Sequence, residues 1–168
     1  RFSLIVTVLL ACTLATAQKQ ITIDDFTSKD TFSQRTVSGI NWMADGKFYS
    51  SLKNNSVVKF DVTTGEQVEI IFEGKDINIG SYAFSANERK LLVATNVEPI
   101  YRRSSRADFL IHDLETKATT KVSQGGKQSY ATFSPDGARV AFVRDNNLFL
   151  VDVANGKETQ ITSDGKAN

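Results

Sequence analysis

The chain has 168 residues, of which 40% are hydrophobic and 23% are charged, a composition that is typical of a globular protein and not of a disordered one. Its 20 Lys and Arg residues balance 19 Asp and Glu residues, so the formal net charge of +1 gives no electrostatic case for binding nucleic acid. A single Cys and a single His exclude a disulfide framework and a cysteine-ligated zinc site, and we expect no metal and no cofactor.

The first predicted element is an apolar run over residues 2–17, which follows the positive charge of Arg1. The run is shorter than the ~20 residues of a membrane-spanning helix. It ends in Ala15-Thr16-Ala17, a small-x-small sequence typical of signal peptidase sites. We therefore predict a signal peptide over residues 1–17 and an exported protein that is periplasmic, at the cell surface or secreted. A buried strand or helix, and lipid attachment at Cys12, are the alternatives.

Three copies of a strand-turn-strand unit follow a lead-in segment over residues 18–38. The copies are residues 40–49, 83–93 and 132–142, and in each an aromatic residue ends one strand, a polar turn follows and an apolar strand leaves the turn. Pro135, Asp136 and Gly137 suit such a turn, because proline presets φ, aspartate bonds the backbone and glycine accepts positive φ. We expect one aromatic residue of each copy to point between neighbouring sheets: Trp42, Phe84 and Phe133.

Each copy continues into a strand that ends in an aspartate and then into a polar turn and a last strand; the three aspartates are Asp61, Asp113 and Asp152. One unit therefore has several antiparallel strands in about 40–50 residues, the size of a four-stranded propeller blade. The sequence predicts an all-β fold, a partial β-propeller of about three four-stranded blades over residues 39–168. A β-sandwich with similar hairpins is the alternative.

The second copy is longer than the other two. Its aromatic residue and its aspartate are 29 positions apart, whereas the other two pairs are each 19 positions apart. The ten additional residues fall around residues 96–106, which we expect to form a loop, and loops that depart from a repeat are where repeat folds place function. This segment contains three arginines, whose planar, permanently charged donors suit carbonyl or anionic partners. Pairing with Glu98, Asp108 or acidic residues of the next blade is the structural alternative.

The remaining polar candidates favour structural roles. His112 lies in a strand before Asp113, and we expect it on the strand surface rather than in a catalytic site. Asp24 and Asp25 are read as turn residues rather than an acid/base pair. The Asp-Gly steps lack the alternating carboxylates of a calcium loop.

The turn 133–137 and the strand 140–142 resemble the repeat of the prolyl oligopeptidase family and of related periplasmic propellers. More specifically, residues 101–114 are similar to the dipeptidyl peptidase IV branch, in which an aromatic-Arg pair precedes a serine and a strand that ends Ile-Tyr-Asp-Leu. Residues 21–26 also resemble that branch's lead-in to the first blade. The resemblance covers residues 21–168.

The resemblance implies a role for two residues of the insertion. Arg102 matches the propeller arginine that hydrogen-bonds the carbonyl of the substrate's penultimate residue, and Tyr101 matches the aromatic residue before it. Arg103 departs from the residue usual at its position, so it is assigned no role. The branch's glutamate pair, which holds the substrate's free amine, has no counterpart in these 168 residues. The same is true of the catalytic Ser, Asp and His, which that branch has on a C-terminal α/β-hydrolase domain.

The resulting prediction is the substrate-binding propeller of an exported serine-type dipeptidyl peptidase. Its substrates would be peptides with a free N-terminus, from which it would release X-Pro or X-Ala dipeptides, and the complete enzyme would be a homodimer. No catalytic residue is assigned in the present chain, which we expect to be inactive by itself. A non-enzymatic periplasmic propeller with TolB-like repeats that binds proteins is the alternative, and another branch of the family with different specificity is a narrower one.

Overall fold

The computed structural model describes residues 21–27, 32 and 39–166. The predicted signal peptide lies outside the described residues, as does most of the lead-in segment. The chain has two compact units, Arg1–Thr36 and Val37–Asn168. Among the described residues, none of the helices has the length and apolar character needed to cross a membrane.

In the first unit a short helix, α1 (Ile23–Thr27), begins after Thr22. The Thr22 backbone N–H donates to Asp25 Oδ2 at 2.9 Å, and the Thr22 hydroxyl donates to the same oxygen at 2.8 Å. The Asp25 N–H donates in return to the Thr22 carbonyl at 3.1 Å. This arrangement satisfies backbone donors that the first helical turn would otherwise leave unpaired. Asp25 therefore stabilises a helix start, where the sequence had indicated only a turn.

In the second unit the described residues form three four-stranded antiparallel sheets, each built from consecutive strands. Sheet 1 contains β1 (Asn41–Trp42), β2 (Phe48–Lys53), β3 (Ser56–Asp61) and β4 (Gln67–Glu73). Sheet 2 contains β5 (Ile79–Phe84), β6 (Lys90–Tyr101), β7 (Ser104–Asp113) and β8 (Thr119–Lys121). Sheet 3 contains β9 (Ser129–Phe133), β10 (Arg139–Arg144), β11 (Asn147–Asp152) and β12 (Glu158–Gln160).

Two hydrophobic clusters hold the sheets together in series. One lies between sheets 1 and 2 and the other between sheets 2 and 3. The first cluster contains Val57, Ile71, Ile79, Leu91 and Val93. The second contains Leu92, Ile111, Val122, Val140, Phe142, Phe149 and Val151. Alternate residues of β6 thus serve different cores, since successive side chains of a strand point to opposite faces. Sheet 2 is buried on both faces, as in a stack of propeller blades and unlike a two-sheet sandwich.

The repeated turns form as the sequence predicts. Asp136 Oδ1 accepts the Ala138 N–H at 2.9 Å, and Gly137 has a φ of 68°. The strand-ending aspartates also act alike, because each carboxylate accepts the backbone N–H groups two and three residues later, at 2.8 to 3.2 Å: Asp61, Asp113 and Asp152. These bonds satisfy the polar backbone of each turn, so the carboxylates are structural.

The prediction for the inward-pointing aromatic residues is confirmed for Phe84 and Phe133, which pack against the two clusters. It is wrong for Trp42, whose side chain is 67% exposed. Trp42 packs edge-on against Tyr49, its partner across the strands. Tyr49 in turn pairs with Phe60, which lies on the face of β3 opposite Val57. Sheet 2 covers the Val57 face, and neither of the other two described sheets packs against the face that carries Trp42.

Candidate functional site

The ten additional residues of the second copy lengthen two strands and do not form a loop. Strand β6 has twelve residues and β7 has ten, whereas the equivalent strands of sheets 1 and 3 have six. The two strands stay paired as far as Tyr101 and Ser104, so only Arg102 and Arg103 lie in the connecting turn. The expectation of a loop is therefore wrong. Residues 96–106 form an extended β-hairpin, which we call the inserted hairpin.

Two irregularities in the strand register shape the inserted hairpin. The pairing of β6 with β7 shifts between Thr95 and Glu98 and again between Pro99 and Tyr101. At the first shift Asn96 has a φ of 51°, and its side-chain amide donates to Asp108 Oδ2 at 2.9 Å. Bulges of this kind bend a strand pair and increase its twist. Proline is tolerated at such places because it has no backbone N–H to donate.

The turn at the tip differs from those of the equivalent hairpins. In sheets 1 and 3 both central turn residues have positive φ, namely Asn54 with Asn55 and Asp145 with Asn146. Asn and Asp accept that conformation more readily than other non-glycine residues do. Neither of the two residues at the tip of the inserted hairpin has a positive φ. Arginine side chains are therefore accommodated there without the backbone strain of a left-handed conformation.

The side chains at the tip are available to a ligand. Tyr101 is 75% exposed, and Arg102 and Arg103 are also exposed. Within residues 39–166 neither guanidinium has a hydrogen-bond or ion-pair partner. Among the described residues 39–166, Arg102 and Arg103 therefore do not pair with Glu98, Asp108 or another acidic residue. Two unneutralised guanidiniums beside an aromatic ring are suited to a carbonyl or carboxylate group.

The third arginine of the inserted hairpin is paired with a carboxylate. Arg106 Nε donates to Glu98 Oε2 at 3.0 Å and Arg106 Nη2 donates to Glu98 Oε1 at 2.9 Å. Lys127 Nζ lies 3.3 Å from Glu98 Oε2. The hydrogen bond from Arg106, followed by that from Lys127, lowers the pKa of the Glu98 carboxyl to about 2. Glu98 is thus ionised at any ordinary pH. Its negative charge offsets the positive charges of Arg106 and Lys127 and leaves those of Arg102 and Arg103 at the tip without a carboxylate partner among the described residues.

The connection between β8 and β9 fixes the base of the inserted hairpin. Ala107 and Gln128 form a two-way backbone bridge, with N–H to O distances of 2.9 and 2.8 Å. The Ser129 hydroxyl donates to the Ser105 carbonyl at 2.9 Å, and Lys127 Nζ donates to the Asn96 carbonyl at 2.7 Å. The hairpin is therefore attached to sheet 3 as well as to sheet 2.

Tyr130, the neighbour of Ser129, has an unusual backbone. Its φ is 57°, a conformation uncommon for a bulky aromatic residue, and its side chain is 68% exposed. The register of β9 against β10 is also irregular at this point, between Ala141 and Val143. Strained residues cluster at binding sites. Sequence reasoning missed Tyr130, because a single residue with positive φ leaves no pattern in an apolar strand.

The other polar candidates take structural roles. A cavity of about 570 Å³ opens between sheets 2 and 3 at the end of β6 and β7 opposite to the inserted hairpin. Its three carboxylates, Asp113, Asp136 and Asp152, are those that accept the turn N–H groups. Hydrogen bonds from the Thr116 backbone lower the pKa of Asp113, and the Ser134 hydroxyl does the same for Asp136. No group of His, Cys, Asp and Glu side chains in the described ranges could hold a metal ion.

His112 is not on the strand surface, so that expectation is wrong. It is 7% exposed and packs against Phe72, with 4.9 Å between the ring centroids. Its Nδ1 lies 2.8 Å from Thr119 Oγ1. The ring therefore fills the space between sheets 1 and 2, and burial lowers its pKa, with a further contribution from the nearby charge of Lys117.

Comparison with known proteins decides the family. Residues 85–168, half of the chain, match the family described as the dipeptidyl peptidase IV (DPP IV) N-terminal region. This chain belongs to that family. The match includes the whole of the inserted hairpin and sheet 3.

Relatives and solved structures agree with the family. The chain is 32% identical over 157 residues to a probable dipeptidyl peptidase 4 of Emericella nidulans, covering 90% of this chain and 20% of that protein. It is also 32% identical to dipeptidyl peptidase 4 of Porphyromonas gingivalis, whose crystal structure matches with a TM-score of 0.74 over 91% of this chain and 23% of the other. TolB of Acinetobacter baumannii matches with a TM-score of 0.50 and 21% identity over 76% of this chain and 32% of that chain, a likeness that concerns the fold alone.

The chain spans about a fifth of the length of the curated relatives that it matches. In this member of the dipeptidyl peptidase IV N-terminal family, the structure places both sequence-predicted site residues, Tyr101 and Arg102, next to each other at the tip of the inserted hairpin. Sequence reasoning noted Glu98 only as one possible arginine partner and missed Lys127. In the sequence, only the opposite charges of Lys127 and Glu98 hint at this pair. The two residues come together through the packing of two sheets, which the sequence does not show.

Proposed function

We propose that this chain is part of the substrate-binding propeller of an exported serine-type dipeptidyl peptidase. The complete enzyme would release X-Pro or X-Ala dipeptides from peptides with a free N-terminus. The Ser, Asp and His of its catalytic triad would come from a C-terminal α/β-hydrolase domain outside these 168 residues, and the complete enzyme would be a homodimer. Membership of the dipeptidyl peptidase IV N-terminal family supports this proposal, and the predicted signal sequence at residues 1–17 supports export.

One observation carries the proposal for the site: Arg102 stands exposed and unpaired, among the described residues, at the tip of a hairpin that neither of the other two sheets has. An arginine held for structural reasons would resemble Arg106, whose guanidinium donates two hydrogen bonds to one carboxylate. Arg102 instead keeps all its donors for a ligand. A peptide carbonyl is a fitting acceptor, because the guanidinium can donate a charged hydrogen bond to it at any pH.

The role of Arg102 in the reaction would be positioning. An enzyme that cuts after the second residue must measure a fixed distance from the free amine of its substrate. Arg102 would hold the carbonyl between that amine and the scissile bond, while groups outside this chain hold the amine. Fixing the peptide at two points orients the scissile carbonyl for the nucleophile and lowers the entropic part of the barrier. Tyr101 would contribute an apolar wall beside the same carbonyl.

The test is Arg102→Ala in the complete enzyme, with an X-Pro anilide as substrate. A charged hydrogen bond is worth about 1.5–3 kcal/mol, so kcat/KM should fall roughly 10–150-fold. Arg103→Ala is the matched control, because Arg103 lies in the same turn, is exposed and has no described partner. Its kcat/KM should stay within about twofold of the wild type, since it is given no contact with the substrate.

An unchanged kcat/KM in Arg102→Ala, or equal losses in the two variants, would contradict the assignment of Arg102. A complete protein that releases no dipeptide from any X-Pro or X-Ala substrate would contradict the proposed activity itself. That result would favour the alternative of a non-enzymatic binding module.

A further inference from the structure

The inserted hairpin has little apolar packing of its own. From Asn96 to Arg106, every residue except Glu98 and Ser104 is exposed, and those two are half-buried. Val97 and Ile100, its aliphatic residues, are 44% and 61% exposed. A two-stranded hairpin without a hydrophobic face is marginally stable in water. The direction of this hairpin must therefore depend on its polar contacts.

Glu98 is the residue at which those contacts meet. It is the direct cross-strand partner of Arg106, and the two side chains form two parallel hydrogen bonds. Paired donors of this kind fix the relative orientation of two groups as well as their distance. The carboxylate also binds Lys127, which reaches it from the connection between sheets 2 and 3. One side chain thus joins both strands of the hairpin to the neighbouring sheet.

The lysine strengthens this connection at a second point. Its Nζ donates to the Asn96 carbonyl at 2.7 Å while it lies 3.3 Å from the Glu98 carboxylate. Asn96 is the residue with positive φ at the bulge, where the hairpin bends away from the sheet. Lys127 therefore contacts both the backbone at the bend and the negatively charged Glu98.

Arg102 lies four residues beyond Glu98 along the same chain, a reach of at most about 13 Å in an extended strand. A small change of angle at the base becomes a displacement of an ångström or more at the tip. Displacements of that size can cost up to about 100-fold in rate when they misplace a group that orients the substrate.

We propose that Glu98 is a positioning residue, which holds the inserted hairpin against Arg106 and Lys127 so that Arg102 meets the substrate carbonyl in a fixed place. This inference rests on the proposed function of Arg102. Glu98 itself does not contact the substrate, and its effect on the reaction passes entirely through the arginine at the tip.

The experiment is Glu98→Gln in the complete enzyme, a change that keeps the shape of the side chain and removes its charge. We expect kcat/KM for an X-Pro anilide to fall about 5- to 20-fold, with the loss divided between kcat and KM as in Arg102→Ala. Glu115→Gln is the matched control, because Glu115 is exposed and its carboxylate has no partner among residues 39–166. The control should match the wild type.

A double-mutant cycle separates positioning from general support of the fold. When Arg102 is already alanine, Glu98→Gln should lower kcat/KM by less than twofold, because the residue through which it acts is gone. The same loss with and without Arg102 would overturn the proposal, and so would full activity of the single Glu98→Gln variant.

Hydrogen exchange supplies a readout that does not depend on activity. In Glu98→Gln the backbone amides of residues 97–105, apart from Pro99, should exchange faster, while those of β10 and β11 should be unchanged. If Arg102→Ala proved fully active, the proposed role of Arg102 would fail, and exchange alone would then decide whether Glu98 holds the hairpin. Unchanged exchange in residues 97–105 would overturn that part too.

Discussion

Glu98 decides which arginine of the inserted hairpin is free to bind a ligand. Three arginines lie within five positions, yet only Arg106 faces the carboxylate across the strands. Arg102 and Arg103 sit beyond it in the turn, where the described residues offer no acceptor. The difference arises from the register of β6 and β7, because a shift of one residue would move each side chain to the opposite face.

The sequence identifies the arginine-rich insertion, but residue types alone do not show which of its arginines pairs with a carboxylate and which remain unpaired. Any of the three arginines could have paired with Glu98 or Asp108. Two bulges set the register, and bulges depend on the balance between strand pairing and the twist of the sheet. The geometry sets Arg106 apart as the arginine paired with a carboxylate, and the resemblance to a known family selects Arg102 over Arg103.

The single residue His112 makes the stability of the fold depend on pH. Burial lowers its pKa below the ordinary 6.5, so the folded protein binds fewer protons than the unfolded chain as the pH falls below 6.5. Stability contributed by the neutral ring is complete above that pH and declines below it. In an NMR titration of the complete protein, the His112 ring should titrate with a midpoint below 6.5.

The His112→Gln variant assigns the signal, because the corresponding resonance disappears in it. The variant should also lose less stability than the wild type between about pH 7.5 and 5.5, measured by urea unfolding. A ring that titrates at or above 6.5 would contradict the buried position between sheets 1 and 2.

Among the elements, the inserted hairpin is the one that departs from the repeat. The other equivalent hairpins turn after six residues through Asn and Asp residues with positive φ. The alternation of apolar residues predicts those strands well, because it matches the period of a sheet with buried faces. It fails for residues 96–106, where polar residues and Pro99 suggest a loop. Backbone pairing and side-chain ion pairs hold this segment as strands without apolar burial.

Gly80 leaves no room for a side chain at the base of the inserted hairpin. A Cβ on Gly80 would meet the side chain of Val97, the bulge residue beside Asn96. Valine is stiff about χ1 and cannot easily turn away, so Gly80→Ala should displace the hairpin. We expect a loss of about 1–3 kcal/mol in the free energy of unfolding, and a fall of about 10-fold in kcat/KM for an X-Pro anilide.

Gly156→Ala is the control for this prediction. Gly156 has a φ of 70° and open space around it, in a turn of sheet 3. Alanine there costs about 1 kcal/mol through backbone strain alone, and kcat/KM should not change. If Gly80→Ala lowered the melting temperature but left kcat/KM as in the control, the base of the hairpin would not be coupled to substrate binding.

At the scale of the whole molecule, the three sheets of the described residues form a series, and among them only sheet 2 has another sheet on both faces. The repeat in the sequence predicts this arrangement, since three matched units of one kind stack in the same way. The sequence could not predict the exposure of Trp42, because burial of an outer sheet face depends on what packs against it. The position of Trp42 in the repeat is equivalent to that of Phe84 and Phe133, but its surroundings are not.

The same arrangement brings the inserted hairpin of sheet 2 against the β8–β9 connection, through Lys127, Gln128 and Ser129. The inserted hairpin is therefore contacted by two neighbouring repeats. This arrangement links the fold to the proposed function, because a substrate-binding arginine is useful only in a fixed position.

The most direct test of this account is a crystal structure of the complete protein with a peptide-like inhibitor that has a free amine. We predict that an Arg102 guanidinium nitrogen lies about 3 Å from the carbonyl oxygen between the amine and the scissile position, with the Glu98 to Arg106 hydrogen bonds retained. A bound inhibitor whose carbonyl takes its hydrogen bond from another residue, while Arg102 points into solvent, would contradict the proposed role of Arg102.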